Sequence, residues 1–474
     1  MPVLPQVFQH PGSRLTLGRL GPFPFSRLFS VPESARSTHM YVIGITGKGK
    51  SKLLEYCLYQ DIRAGHGCVL IDPHGDLTDD VLHLCISQGA LGQRSARRLI
   101  YFEPTRQDRI IPFNVLSTVG QPYQVAQQVV EAFRRTWPES LKEAPHFANI
   151  ATAALIVLVE NGLTLMDMHR ILVDAPWREE LLSRSQSPEV VSFFHERYDR
   201  WGREAPLLRE STLNKVAAFT FNPYLRLILG QSENRISLRR VMDEGLVLLV
   251  DLGRCDGETR RLLGSLLVTG LEQAAASRHD LPRHARRACY AYIDEFQDFA
   301  ANPGSVKSLA QILSECRKFG LHLTLAHQSL SQLSPRMLGA IGNIQTRVIF
   351  GLARQDAEWF SREVGQVDTK AIKRQARTEV QHPVFASLAE QWEAWTRRLK
   401  EQPARRAIVS SFDGAVHQIW TMTIPPYKVG DKEVEALRRA SLKRHGIPYR
   451  QACQHLRKRS DQSDTSSTVP PQFE

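Results

Sequence analysis

The chain carries the octapeptide Gly44-Ile45-Thr46-Gly47-Lys48-Gly49-Lys50-Ser51, which fits the pattern G-x-x-x-x-G-K-S in full. A short apolar run precedes it, and a helical pattern over residues 52–62 follows it. Glycines let such a loop curl so that its N–H groups point at phosphate oxygens, and the helix adds its positive N-terminal end. Lys50 would then reach the β and γ phosphates, and the Ser51 hydroxyl would bind Mg²⁺. The octapeptide therefore predicts a binding site for ATP and Mg²⁺ rather than a chance glycine-rich turn.

A second pattern is Tyr290-Ala-Tyr-Ile-Asp294-Glu295, an apolar strand that ends in two carboxylates. Buried carboxylates are unfavourable unless they are paired or bound to a metal. In ATPases of this design the Asp holds Mg²⁺ and the Glu orients and activates the attacking water. Taken alone, the pair would also suit the start of a solvated loop. Together with the P-loop it predicts Asp294 as a metal ligand and Glu295 as a catalytic residue.

Two further residues are candidates for catalysis. Gln328 follows the predicted strand 321–327 and would face the same crevice as the P-loop, where it could sense the γ-phosphate or simply cap a loop. Arg317 ends the helix predicted before that strand. A cation there suits a helix C-terminus, and it would also suit an arginine that reaches the ATP of a neighbouring subunit.

Two segments have two interpretations each. Asp72-Pro-His74-Gly-Asp76 leaves a predicted strand at the same edge of the sheet, so it either touches a nucleotide or neighbour or only shapes the turn. The basic stretch 438–459 either contacts phosphate backbones or is a solvated tail, and residues 460–474 have a disordered composition.

The elements that would position these residues form an α/β pattern. Apolar strands alternate with amphipathic helices, which predicts a parallel-rich sheet covered on both faces. Between residues 121 and 240 the pattern is helical, which predicts an inserted all-helical domain. The predicted strands are residues 39–44, 68–72, 98–102, 246–252, 288–294, 321–327 and 346–351.

Composition narrows the choice of partners and compartment. The 474 residues carry a net charge of +12, which suits an anionic partner such as nucleic acid or an acidic membrane surface, or a protein that is merely soluble and basic. The seven cysteines have no C-x-x-C spacing, so neither a disulfide framework nor a zinc site is expected. We find neither a signal peptide nor an apolar run of the roughly 20 residues that span a bilayer. We therefore expect a cytoplasmic protein, with any membrane role supplied by a partner.

The order of the motifs resembles that of the HerA/FtsK superfamily, and within it the TraG/TraD-type coupling ATPases of conjugation and type IV secretion. The resemblance covers about residues 39–388. It is carried by the P-loop together with Ile71-Asp-Pro-His-Gly-Asp-Leu77, Phe113-Asn114, Ile293-Asp-Glu-Phe-Gln297, Glu315-Cys-Arg-Lys-Phe-Gly320 and Ala326-His-Gln-Ser-Leu-Ser-Gln332.

This resemblance implies a RecA-like P-loop NTPase that assembles into a hexameric ring and moves DNA through a central channel. Arg317 lies where the family has its arginine finger, and Gln328 matches its γ-phosphate sensor. Three departures are visible: there are no transmembrane helices, the N-terminal segment is too short for a β-barrel, and Lys48 replaces a small residue. The implied domains are an N-terminal arm or sheet extension (1–38), the nucleotide-binding domain (39–120 and 241–425), the helical insertion (121–240) and a basic, partly disordered tail (426–474).

The resulting hypothesis is an ATP-hydrolysing DNA translocase of the coupling type, with a possible membrane-bound secretion or conjugation partner. One alternative is an ATPase that drives protein substrates or assembles a secretion channel. Another is a soluble HerA-like DNA-processing motor. A nucleotide-gated scaffold that scarcely hydrolyses ATP is disfavoured by Glu295.

Overall fold

The computed structural model describes eleven stretches of the chain. They are residues 14–21, 26–92, 95–118, 120–138, 141, 146–201, 205–300, 313, 315–374, 384–411 and 413–465.

The described strands are numbered in chain order, and eleven of them build one central sheet. They are β1 (Arg14–Leu20), β2 (Arg27–Pro32), β3 (Met40–Ile43), β4 (Gly67–Asp72), β5 (Leu99–Phe102), β6 (Arg109–Ile110), β7 (Val247–Asp251), β8 (Cys289–Ile293), β9 (Leu321–His327), β10 (Thr346–Ile349), β11 (Ile372–Arg374), β12 (Val384–Phe385), β13 (Arg406–Ser410), β14 (Val416–Thr421) and β15 (Ile447–Pro448).

The described α-helices are numbered in the same way. They are α1 (Glu33–Arg36), α2 (Lys50–Ala64), α3 (Asp76–Ser87), α4 (Pro122–Thr136), α5 (Phe147–Glu160), α6 (Met168–Val173), α7 (Ala175–Leu182), α8 (Pro188–Ser192), α9 (Ala205–Thr220), α10 (Pro223–Leu229), α11 (Leu238–Glu244), α12 (Gly257–Ser277), α13 (Gln297–Ala300), α14 (Pro335–Gly342), α15 (Arg354–Val364), α16 (Leu388–Lys400), α17 (Asp431–His445) and α18 (Tyr449–Thr465).

The strand order of the central sheet is β2-β1-β14-β13-β10-β3-β9-β8-β4-β7-β5. Strands β10 through β5 in this order pair in parallel. Val69 and Ile71 of β4 contribute to one hydrophobic core, whereas Cys68 and Leu70 contribute to the core on the opposite face. Because both faces are covered, the parallel strands are mostly apolar, as the sequence predicts. The α/β fold class with a mostly parallel sheet is confirmed.

The other end of the sheet is antiparallel. Strand β13 pairs with β10, β14 with β13, β1 with β14 and β2 with β1. The N-terminal segment thus adds a hairpin to the sheet.

The described chain between β6 and β7 is helical, where the sequence predicts the insertion. Its first helix, α4, packs against α12, whose Leu263 and Leu267 belong to a hydrophobic core that also contains residues of the sheet. Apolar residues of this region, such as Phe133 and Leu155, belong to the same core as Ile71 of the sheet. The helices therefore share one continuous core with one face of the sheet.

The C-terminal segment, expected to be a basic tail, contains the helices α17 and α18. Val434 and Leu442 of α17 are buried. The Ser441 hydroxyl accepts a hydrogen bond from the Tyr101 N–H and donates one to the Leu99 carbonyl, both at 2.9 Å. Helix α17 therefore covers the outer edge of β5 and satisfies backbone groups that an edge strand would leave free. Residues 466–474, the end of the stretch expected to be disordered, lie outside the described residues.

Candidate nucleotide-binding and catalytic site

The P-loop connects β3 to α2 at the carboxyl edge of the parallel strands. Gly47 and Gly49 have φ angles of +80° and +106°. Residues that carry a β-carbon rarely adopt such positive φ angles. A β-carbon on Gly44 would lie 2.5 Å from Cβ of Phe350. Ile45 is anchored by an N–H bond to the Gly351 carbonyl at 3.0 Å. Backbone conformation and close packing therefore explain the glycines of the pattern.

Lys50 is the first residue of α2 and is buried. Its Nζ lies 2.6 Å from Oε1 of Glu295 and 3.7 Å from Oδ1 of Asp294. Strands β3 and β8 both pair with β9 in parallel, so their carboxyl ends meet at one edge. The structure thus brings together a lysine and two carboxylates that are 244 and more positions apart in the sequence.

Glu295 lies at the centre of the site and has a φ of +44°, which is unusual for a side chain of its size. Gln328 donates from Nε2 to its Oε1 at 2.8 Å. Gln297 donates from Nε2 to its Oε2, also at 2.8 Å. Thr46 of the P-loop donates its hydroxyl to Oε1 of Gln328 at 3.1 Å. Gln328 therefore links the P-loop to Glu295.

The role of Gln297 was missed by sequence reasoning. It belongs to the motif Ile293-Asp-Glu-Phe-Gln297, but its spacing of two residues from Glu295 gives no periodic signal in a turn. The turn following β8 folds its amide back onto the carboxylate.

The pKa values of the Asp294 and Glu295 carboxylates are shifted in opposite directions. Burial, opposed by Lys50 and reinforced by the charges of Glu295 and Asp72, raises the pKa of Asp294 to about 6. Burial alone would also raise the pKa of Glu295, but Lys50 and the two glutamine amides bring that pKa below its ordinary value. Glu295 is therefore ionised at neutral pH, as a residue that orients water by accepting its hydrogen must be.

Lys48 points away from the inside of the P-loop. Its Nζ donates to the Gln402 carbonyl at 2.9 Å, and its own carbonyl accepts from the Arg405 N–H at 2.8 Å. A β-carbon on Gly49 would lie 3.3 Å from the Arg405 nitrogen. The turn 402–405, which leads into β13, therefore holds the P-loop from outside.

Aromatic rings pack beside Glu295 in the turn that follows β8. The His327 ring stacks on Phe296 with a centroid distance of 5.0 Å and contacts the hydroxyl of Tyr41. Burial and the nearby charge of Lys50 lower the pKa of His327 to about 3, so this histidine is neutral. These rings support the backbone of Glu295 without adding a charge to the site.

Two predicted site residues, Ser51 and Arg317, are exposed and lie apart from the contacts around Glu295. Ser51 is exposed on the first turn of α2. Arg317 is exposed in a 3₁₀ turn, Cys316–Phe319, that precedes the amino end of β9. Gln328 follows the carboxyl end of that seven-residue strand. At about 3.3 Å per residue, Arg317 lies roughly 20 Å from the nucleotide edge of its own chain. Most of the helix predicted over 306–319 lies outside the described residues.

The turn after β4 is held by its own backbone. The Asp72 carboxylate accepts hydrogen bonds from the N–H groups of His74 at 2.9 Å and Thr78 at 2.8 Å. Burial raises the pKa of Asp72 in spite of these bonds. This geometry favours the turn-shaping interpretation, while His74 itself is exposed.

Two expectations from the sequence concern disulfides and membrane-spanning helices. All seven cysteines are free thiols. Among the described helices, none combines the length and the apolar character that crossing a membrane requires.

Comparison with known proteins supports the resemblance to TraG/TraD-type proteins that the order of the motifs indicates. Residues 288–407 match the family model described as the TraM recognition site of TraD and TraG. The plasmid coupling protein TrwB, in complex with the GTP analogue GDPNP, is 20% identical, with a TM-score of 0.57 over 84% of this chain and 88% of that chain. The fold is that of TrwB.

Two other solved structures are also similar to this chain in fold. TrwB in complex with ADP and Mg²⁺ is 19% identical, with a TM-score of 0.58 over the same shares of the two chains. VirB4 of Thermoanaerobacter pseudethanolicus is 14% identical, with a TM-score of 0.54 over 88% of this chain and 98% of that one. No curated protein sequence matches significantly. The predicted resemblance to TraG/TraD-type coupling ATPases is confirmed by the family model and the shared fold.

Proposed function

We propose that this protein is an ATP-hydrolysing DNA translocase of the coupling type, acting as a ring in conjugative DNA transfer or type IV secretion. The observation that carries the proposal is the contact of Lys50, Glu295 and Gln328 at the carboxyl edge of a TrwB-like sheet. The TraD/TraG match supports the same activity, as do the TrwB structures, whose names record bound nucleotides and a bacterial conjugative coupling protein.

The residues of the site fit ATP and Mg²⁺. A β-carbon on Gly47 would meet nothing within 4 Å, so the loop is open on that side. The first N–H groups of α2 have no partner within the helix, and the helix end is positive, which suits phosphate oxygens. Ser51 and Asp294 are the oxygen ligands that would hold Mg²⁺. Mg²⁺ would neutralise the charge that develops on the phosphates.

Each side chain then has a defined role. Lys50 binds the β and γ phosphates as a point charge, for which its contacts with Glu295 and Asp294 must be exchanged. Glu295 orients the attacking water and accepts its proton, while Gln297 and Gln328 fix the direction of its oxygens. Gln328 also touches Thr46 of the P-loop, so it is placed to sense the γ-phosphate.

Ring assembly is part of the proposal. Arg317 lies too far from its own P-loop to act there, so we assign it to the site of the adjacent subunit. Heterologous contacts of this kind close into rings, and a hexamer is proposed from the coupling-protein resemblance. We place the ring in the cytoplasm, where a membrane-bound secretion or conjugation partner would recruit it.

DNA as the substrate is supported by the net charge of +12 and by the likeness to a plasmid coupling protein. The test is steady-state ATP hydrolysis by wild type and Lys50→Ala, without DNA and with single- or double-stranded DNA, at two salt concentrations. We expect DNA to stimulate the wild type, with a stimulation that falls steeply with salt, because phosphate contacts release counterions. Hydrolysis that DNA leaves unchanged would favour a protein-substrate or assembly ATPase. Full activity of Lys50→Ala would refute the P-loop assignment.

A further inference from the structure

A row of paired side chains crosses the antiparallel end of the sheet. Leu28 on β2 pairs with Arg19 on β1, and Arg19 pairs with Trp420 on β14. Trp420 pairs in turn with Arg406 on β13. Residues directly opposite each other on neighbouring strands project from the same face of a sheet. The four side chains therefore form one continuous surface.

The aromatic ring at the centre of this row is open to solvent. Trp420 is 44% exposed and Leu28 is 38% exposed. The guanidinium carbon of Arg406 lies 5.4 Å from the centroid of the Trp420 ring, within the range of a cation–π interaction. Trp420 and Leu28 thus leave apolar surface exposed in one row with arginines, and exposed apolar surface rimmed by polar residues is a feature of interaction sites.

A third arginine reaches this surface from α16. Arg398 donates from Nη2 to Oε1 of Gln418 at 3.1 Å, and Gln418 lies two residues before Trp420 on the same face of β14. Burial and the like charge of Arg406 lower the pKa of Arg398. We call Leu28, Arg19, Trp420, Arg406 and Arg398 the Trp420 surface.

In the part of the chain that the structure describes, no ion pair joins Arg19, Arg398 or Arg406 to a carboxylate. Arg19 contacts the Ser26 hydroxyl at 3.4 Å, and Nε of Arg406 is buried without a hydrogen-bond partner. Three cations around an exposed indole complement an anionic, flat ligand.

We propose that the Trp420 surface binds single-stranded nucleic acid, with a base stacked on Trp420 and backbone phosphates on Arg19, Arg398 and Arg406. The inference rests on the DNA-motor function proposed above and adds the site and strand preference. An unpaired base exposes its face for stacking on an aromatic ring, whereas a duplex hides its base faces inside the helix. The surface also adjoins the nucleotide site, because the N–H of Arg405, next to Arg406, bonds the carbonyl of Lys48 in the P-loop.

The stacking part is tested by fluorescence anisotropy with full-length protein and a fluorescein-labelled oligothymidylate. Trp420→Ala should weaken binding by about tenfold, in line with the loss of one base–aromatic stack. Trp420→Phe keeps a flat ring and should bind within about threefold of wild type. Phe221→Ala removes an aromatic side chain that is 82% exposed in the helical region and should leave the affinity unchanged.

The phosphate part is tested by the salt dependence of the same binding. The double variant Arg398→Gln/Arg406→Gln should lower the slope of log affinity against log salt by about 1.4, since each phosphate contact on a single strand contributes about 0.7. Arg184→Gln is the matched control, because Arg184 is an exposed arginine that pairs with Glu180. That control should keep the wild-type slope.

Three outcomes would overturn the inference. If wild type binds the oligothymidylate and both Trp420→Ala and the double variant bind equally well, the surface is not the site, although the DNA motor stands. If wild type binds neither oligothymidylate nor duplex, the DNA function fails as well. If Trp420→Ala changes the sedimentation coefficient but not the DNA affinity, the surface joins copies of the chain. Trp420→Ala should retain DNA-independent ATP hydrolysis and the wild-type melting temperature, and Trp420→Phe keeps the test valid if the alanine variant does not fold.

Discussion

Glu295 gathers three donors around one carboxylate. Lys50 and Gln328 donate to Oε1, and Gln297 donates to Oε2. We expect Glu295→Gln to retain ATP binding and to lower the hydrolysis rate at least about 100-fold, because a positioned general base contributes about 10²–10⁴. Equilibrium binding of a fluorescent ATP analogue and a phosphate-release assay measure the two properties separately.

Gln297→Ala is the matched control for Glu295→Gln. It removes one of the contacts that orient the carboxylate but leaves its charge, so its hydrolysis rate should fall by less than that of Glu295→Gln. Normal turnover by Glu295→Gln would show that another group orients the water. Loss of nucleotide binding by that variant would show that its charge is needed to place Lys50.

At the scale of the elements, the sequence predicts best where one physical signal dominates. Strand 321–327 is predicted with the bounds that the structure shows, Leu321–His327, because its leucines and Ala326 form an apolar-rich run that suits a strand buried on both faces. The contact of Lys50 with Glu295 follows from the same reasoning, since parallel strands end at one edge. The detailed hydrogen bonds of the site, such as that of Gln297, depend on a turn whose geometry no periodicity encodes.

The antiparallel end of the sheet could not be predicted in the same way. Only Ile419 and Thr421 of strand β14 are buried, and one of its two pairing partners, β1, lies about 400 residues earlier in the chain. Such non-local pairs leave no local signature. Helix α17 was missed because it is highly charged, and only Val434, Ser441 and Leu442 are buried.

The contact between the P-loop and the turn before β13 leads to a prediction about Lys48. Its ammonium donates to the Gln402 carbonyl, and we expect this bond to clamp the loop from outside. Lys48→Met keeps the aliphatic stem and loses the bond, so it should lower the free energy of unfolding by about 1–2 kcal/mol. The ATP affinity should change little. Urea denaturation and nucleotide titration are the measurements.

A different result for Lys48→Met would contradict the role of the Lys48–Gln402 bond in holding the P-loop. An unchanged free energy of unfolding, together with a large and salt-dependent loss of ATP affinity, would mean that Lys48 turns inward to bind phosphate. Lys443→Met, a change at a lysine in the last turn of α17, is the matched control and should affect neither quantity.

In the whole molecule, the candidate catalytic residues lie at two opposite edges of the sheet. Its carboxyl edge holds Lys50, Glu295 and Gln328, whereas Arg317 precedes the amino end of β9. One chain therefore cannot complete a site with its own Arg317. If each ATP site is completed by a neighbour, two different inactive variants can restore activity when they form a mixed ring.

This polarity predicts the result of mixing Arg317→Ala with Lys50→Ala. Each variant alone should be nearly inactive, because an arginine finger contributes about 10³ or more and Lys50 holds the phosphates. At equal mixing, about one interface in four joins an intact Lys50 to a neighbour's intact Arg317, so about a quarter of the wild-type hydrolysis rate should return. Lys318→Ala, which changes the adjacent exposed cation, should be active alone. Mixed rings without recovery would place Arg317 outside the catalytic interface, and full activity of Arg317→Ala alone would remove it from catalysis altogether.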